Sequence, residues 1–145
     1  MEDQEFKEWE KQVENTKTHN EELLIEFQQW LESKSFKPKT VNSHIDNMRF
    51  FANEYLLRYE VIPIEKGSTE IGNYLGDYFI RKTSWASKYT IQENIAGFKK
   101  LYAFLCEYGH ITNSDLEDMK ELIKDEKSDW IDEVDQYWDN VEDIW

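Results

Sequence analysis

The chain has 145 residues and a formal net charge of -14, a length at which one domain with its own apolar core is expected without metal or disulfide support. Hydrophobic residues make up 39% and aromatic residues 15%, which excludes a disordered chain, and only two prolines and five glycines exclude a turn-dense β architecture. A single cysteine, Cys106, excludes an internal disulfide framework and points to a reducing, cytoplasmic location.

In chain order, the acidic start MEDQEFKEWE has neither the basic n-region nor the apolar run of a secretory signal. Phe6, Trp9 and Val13 stand at helical spacing and suggest a short N-terminal helix. A second helix is expected to start at Thr18, with Glu21 three residues on completing a capping box, and to bury Leu23, Leu24, Phe27, Trp30 and Leu31. Pro38 suits the first position of the next helix, because its missing N–H is not needed there. That helix is expected to run to about Tyr59 with Val41, Ile45, Met48, Ala52, Tyr55, Leu56 and Tyr59 in its stripe, and to end before Val61-Ile62-Pro63.

Gly67-Ser68-Thr69-Glu70 restarts a helix carrying Ile71, Tyr74, Leu75, Tyr78 and Phe79, and Gly72 and Gly76 on it leave a groove where another backbone can approach closely. The next begins after Trp85, between Ser87 and Thr90, with Thr90 and Glu93 at capping-box spacing and Ile91, Ile95, Phe98, Leu101, Tyr102 and Leu105 inward; Gly109 fits the left-handed position past its end. The last starts near Ser114, with a break expected around Ser128-Asp129, and sets Trp130, Val134, Tyr137, Trp138, Val141 and Trp145 on one face. The fold class is all-α. No segment approaches about 18 consecutive apolar residues, so no membrane partner is expected.

The charge is unevenly placed. Residues 1–16 hold 2 basic and 6 acidic residues, residues 17–112 hold 12 of each, and residues 113–145 hold 3 and 13. The expected organisation is therefore an acidic N-terminal segment (1–17), a neutral helical bundle (18–112) and an acidic, tryptophan-rich helical extension (113–145).

Few residues suggest catalysis. His19, His44 and His110 lack Cys, His or acidic partners at metal-ligand spacing and are read as surface or capping residues, so no metal is expected. Cys106 is read as a small buried hydrophobe rather than a catalytic thiol. No phosphate loop or nucleophile elbow is present, and no cofactor is expected.

The run FxxWLxxKSFKPKTVNSHIDNMRFFANEYL, followed by SKYTIQENIAGFKKLYAFLCEYG, resembles the N-terminal SAM-like core-binding domain of tyrosine recombinases, the phage integrases. The matching residues are Phe27, Trp30 and Leu31, then Pro38, Lys39, Thr40 and Val41, then Thr90, Ile91, Phe98, Tyr102 and Phe104, and the resemblance covers residues 18–112. The stretch DYFIRKTSWAS is similar to standalone members of that family that stop before a catalytic domain. The resemblance implies a four-helix bundle that clamps duplex DNA. It carries over no strand cleavage, because the family's catalytic domain supplies two arginines, a lysine, histidines and a tyrosine that this chain does not provide, so no enzyme is expected.

Lys37 and Lys39 flank Pro38 at a helix N-terminus, where the helix dipole disfavours a cation by roughly 0.3–1 kcal/mol. A phosphate reverses that sign, since free amides and lysines both favour an anion there. Thr40, Ser43 and Asn47 continue the polar face, and Lys88, Tyr89 and Gln92, with Arg81 and Lys82, form a second candidate DNA-contacting set. The competing reading is of ordinary solvated lysines, and the neutral bundle favours it, because dedicated DNA binders usually carry a basic footprint. The sequence thus supports a non-catalytic DNA-binding module, an accessory in recombination or integration that works beside a recombinase or another protein. The alternative is a protein-interaction module that docks or self-associates through the acidic helix. That helix either packs on the bundle with its carboxylates in water or lies over the basic helix starts in place of phosphate.

Overall fold

The computed structural model describes residues 2–144, with side chains over residues 3–141, and is all-helical, with no strand among the described residues. Two compact units divide at Gly67, Met1–Gly67 and Ser68–Trp145, within a 3-10 helix spanning Ile64–Glu70. Among the described residues no helix is long and apolar enough to cross a membrane.

In the first unit, α1 (Glu2–Ser33) is one unbroken helix of 32 residues. The expected capping box at Thr18 does not form. No proline or glycine interrupts residues 2–33, and Thr18 Oγ1 donates back to the Glu14 carbonyl (3.1 Å) as a mid-helix hydroxyl does. The expected N-terminal helix and the next helix are therefore one element. Leu23, Leu24, Phe27 and Leu31 are buried, whereas Trp30 is only half-buried and stacks on Phe27.

The turn that follows uses Ser35 in the left-handed region (φ 66°), a conformation that costs a residue with a Cβ about 1–2 kcal/mol. Beyond it, α2 (Pro38–Arg49) begins on Pro38 as expected and runs into a π-helical turn, Phe50–Tyr55. The wider turn spends an extra residue, so the stripe slips out of phase with a 3.6-residue period. Phe51, Ala52, Tyr55, Leu56 and Leu57 are buried, but Tyr59 is 78% exposed and stands beyond the helix, contrary to its expected place in the stripe.

In the second unit, α3 (Ile71–Asn73), a second π-helical turn (Tyr74–Tyr78) and α4 (Phe79–Lys82) follow one another. They bury Ile71, Tyr74, Leu75 and Phe79, with Tyr78 half-buried. α5 (Lys88–Glu107) is capped one turn earlier than expected: Ser87 Oγ accepts from the Thr90 amide (3.1 Å) and Thr90 Oγ1 accepts from the Ser87 amide (2.8 Å), so Thr90 closes the box instead of opening one with Glu93. Gly109 takes φ 78° past the helix end, as expected. Cys106 is half-buried and donates to Asn113 Oδ1 (3.1 Å), so it is not the enclosed hydrophobe the sequence suggests. His44, expected at the surface, is buried in the first unit.

α6 (Asn113–Ile144) is continuous over 32 residues, without the break expected at Ser128-Asp129. Neither residue is a helix breaker, and the apolar stripe continues through both. A Thr112–Asp115 capping box starts the helix, with the Thr112 amide donating to Asp115 Oδ2 and the Asp115 amide to Thr112 Oγ1, each at 3.1 Å. Met119, Ile123, Trp130 and Val134 are buried, Trp138 and Val141 are half-buried, and Trp145 lies outside the described residues.

At the expected glycine groove α6 docks through side chains, not by the close backbone approach the spacing suggests. A Cβ at Gly76 would stand 2.8 Å from Trp130 Cδ1, inside contact distance, whereas one at Gly72 would meet only the Glu126 carboxylate at 3.5 Å. Gly76→Ala is expected to destabilise the fold by about 1–3 kcal/mol by overpacking against a buried ring. Gly72→Ala is expected to be neutral or stabilising by up to about 1 kcal/mol, since alanine favours a helix. Urea unfolding of both variants checks the contrast, and equal losses would show that the close approach at Gly76 is unimportant.

Candidate nucleic-acid interface

The first set of candidate residues is built by the start of α2. Lys37 is the N-cap residue, in an extended conformation, and makes no side-chain cap; Pro38 follows, and the first turn contains no acidic residue. The amides that open the helix therefore face no carboxylate from their own turn, and the dipole's positive end is uncompensated there. Lys37 and Lys39 are exposed and, among the described residues, form no ion pair. Nearby Lys34 lies over the Trp30 ring (5.4 Å to its centroid). Thr40, Ser43 and Asn47, at spacings of three and four, share one face of α2 and are half-buried.

At the end of α2, Arg49 is committed to structure. Its Nε and Nη2 donate to the two oxygens of Glu21 on α1 (2.8 and 3.2 Å), and Nη1 donates to Asp46 Oδ1 (3.4 Å). Asn53 adds a donor to Glu21 (3.3 Å) and accepts from Asn20 (3.1 Å). The Arg49 hydrogen bond holds the Glu21 carboxyl below its ordinary range, against an opposing push from burial, and the same bond raises Arg49. His19 Nε2 donates to Glu65, lying 2.9 Å from each oxygen, so this histidine ties α1 to the 3-10 helix within the first unit.

The second set lies in the other unit. Arg81, the last-turn arginine of α4, donates through Nε and Nη2 to the two oxygens of Asp77 (2.6 and 3.0 Å), which lowers Asp77 and raises Arg81. A phosphate would have to compete with that carboxylate. Lys82, Lys88, Tyr89 and Gln92 are exposed, and Lys82 and Lys88 form no ion pair among the described residues. Sequence reasoning missed Trp85, which is 53% exposed between the two lysines while its carbonyl takes a hydrogen bond from Thr90 Oγ1. Its position in DYFIRKTSWAS, after a short helix and before a capped one, was the available signal.

The acidic helix reaches this second set. Trp138 Nε1 on α6 donates to the Ala86 carbonyl (2.7 Å), one residue before the cap of α5. Trp130 and Trp138 are thus used in the packing of their own unit.

Among the described residues no three His, Cys, Asp or Glu side chains gather so as to hold a metal ion. The chain matches no protein-family model, no curated protein and no solved structure.

A depressed carboxylate stabilises the fold above its unfolded pKa and stops doing so as pH falls through its folded pKa. Glu21→Gln is therefore expected to cost roughly 0.2–1 kcal/mol at neutral pH, a modest value because both partners are partly exposed. The difference from the parent chain should shrink on acidification below the ordinary glutamate value of 4.5. Denaturant unfolding of both proteins across that range checks this, and a pH-independent difference would show that the Glu21–Arg49 pair is not its source.

Proposed function

We propose that the chain is a non-catalytic module that contacts duplex DNA, akin to the core-binding domain of tyrosine recombinases and acting as an accessory in recombination or integration. The observation that carries the reading is the start of α2. There, two exposed lysines that form no ion pair among the described residues flank an uncapped helix N-terminus whose first turn has no carboxylate. A backbone phosphate at that point would accept from free amides and lie between two cations. Thr40, Ser43 and Asn47 extend the same polar face. Lys82, Lys88, Tyr89 and Gln92 supply a second patch in the other unit, with Arg81 held in reserve by Asp77.

α6 tempers the second patch in this reading. Its C-terminal half is fixed at Ala86 through Trp138 and carries Asp132, Asp135 and Asp139 exposed. These carboxylates set a negative field beside the lysines of α4 and α5 and weaken duplex binding at low salt. Removal of the whole helix would also remove Trp130 and Val134 from the core, so substitution is the cleaner probe.

Fluorescence anisotropy with a labelled duplex over about 50–200 mM salt should give an affinity that falls linearly on logarithmic axes. Lys37→Ala/Lys39→Ala should weaken binding for all sequences and lower the salt slope by about 2. Asp135→Asn/Asp139→Asn should strengthen binding at low salt and lose the advantage as screening rises. No binding at about 50 mM salt would refute the DNA reading, and an unchanged slope in the lysine variant would move the contact elsewhere.

A further inference from the structure

The acidic extension has three basic residues among its thirteen carboxylates, and all three fall on one face. Lys120, Lys124 and Lys127 stand four and three residues apart on α6, within a narrow arc at 100° per residue, while Asp118, Glu121, Asp125 and Asp129 take the opposite arc. Beside them, α5 contributes Lys99. Together these four lysines and Ile123 line a groove of about 470 Å³. Four of its five lining residues are cationic in a unit that is strongly acidic, so chance composition does not account for the cluster.

Lys120 has a carboxylate nearby, Glu117 at 3.5 Å on its own helix. Among the described residues, Lys99, Lys124 and Lys127 form no ion pair. Next to Lys99, burial first and the Lys99 charge second hold Lys100 below its ordinary lysine value. Like charges brought together without partners raise the energy of the apo protein, and an anion relieves it.

We infer that the groove between α5 and α6 is a binding site for a short chain of phosphates, with Lys99, Lys120, Lys124 and Lys127 as its ligands and Ile123 as its floor. The three lysines of α6 are spread over about 10 Å of helix axis, too far for one orthophosphate to meet them all. A run of linked phosphates can. Ammonium groups on flexible stems act as point charges suited to such a chain, without the fork geometry that would select a carboxylate. A long duplex is disfavoured, because the basic arc is only about 10 Å long and sits on a helix whose net charge is strongly negative. The site is separate from the start of α2 and does not rest on the DNA reading.

Isothermal titration of the full chain with sodium tripolyphosphate at about 20 mM salt, where screening is weak, tests the site. Binding at the groove is expected to be the tightest event, with orthophosphate at least about tenfold weaker there. Lys99→Gln/Lys124→Gln/Lys127→Gln should lose about tenfold or more in tripolyphosphate affinity, and Lys7→Gln/Lys11→Gln, exposed on α1 and outside both candidate sites, should leave it unchanged. Circular dichroism and thermal unfolding confirm that the variants fold, and amide shifts in the parent protein should concentrate around Lys99 and along 120–127. No binding, binding equal in the groove variant, or an equal loss in the Lys7/Lys11 variant would each overturn the inference. A short duplex that displaces tripolyphosphate with the same groove-lysine dependence would reassign the site to nucleic-acid backbone and overturn the small-anion assignment. Loss of all duplex binding with tripolyphosphate binding intact would refute the DNA reading and leave the groove assignment standing.

Discussion

Trp130 can lie against the backbone at Gly76 only because no Cβ stands there, and the second unit depends on that approach. α6 carries most of the excess negative charge of the chain, and such a helix gains nothing from leaving water unless an apolar stripe holds it down. Met119, Ile123, Trp130 and Val134 are that stripe, and the largest of them needs the glycine. With the stripe seated, the remaining faces of α6 are fixed as well. Glu126 is directed at Gly72, the lysines stand beside Lys99, and Trp138 reaches Ala86. One missing side chain therefore sets the rotation of a 32-residue helix and so decides which charges meet which neighbours.

Much of the helical content was legible, because the apolar residues recur at helical spacing and punctuation by Pro38 and Gly109 is unambiguous. The errors share a physical cause. Thr18 and Glu21 have capping-box spacing, yet capping chemistry operates only where the chain has a reason to leave the helix, and residues 2–33 offer none. Ser87 and Thr90 show the converse, since an extended Ser87 makes the box real one turn before the expected one. The two π-helical turns were invisible to a fixed 3.6-residue period, and Tyr59 was misplaced for that reason.

The candidate interface was legible in part. Lys37 and Lys39 could be found because Pro38 fixes a helix start between them. The commitments of Arg49 to Glu21 and of Arg81 to Asp77 differ in how visible they were. The second is an i, i+4 pair readable from the sequence, while the first joins residues 28 apart and needs the packing of α1 on α2. The lysine arc of α6 was readable as spacing, but Lys99, from another helix, gives it the shape of a groove. Whole-chain charge concealed all of this, since a net value of -14 averages over faces of opposite sign.

The first half of α1 is mostly exposed, and two polar links within its unit hold it: Trp9 Nε1 to the Tyr59 carbonyl (2.8 Å) and His19 to Glu65. Both anchors come from the segment that follows the first π-helical turn. The first turns of α1 bury little apolar area of their own, whereas the segment they lean on is seated by the fully buried Ile64. The first turns of α1 thus form a unit of low local stability. Their amides would exchange with solvent as a group, ahead of the core around Phe27 and Met48.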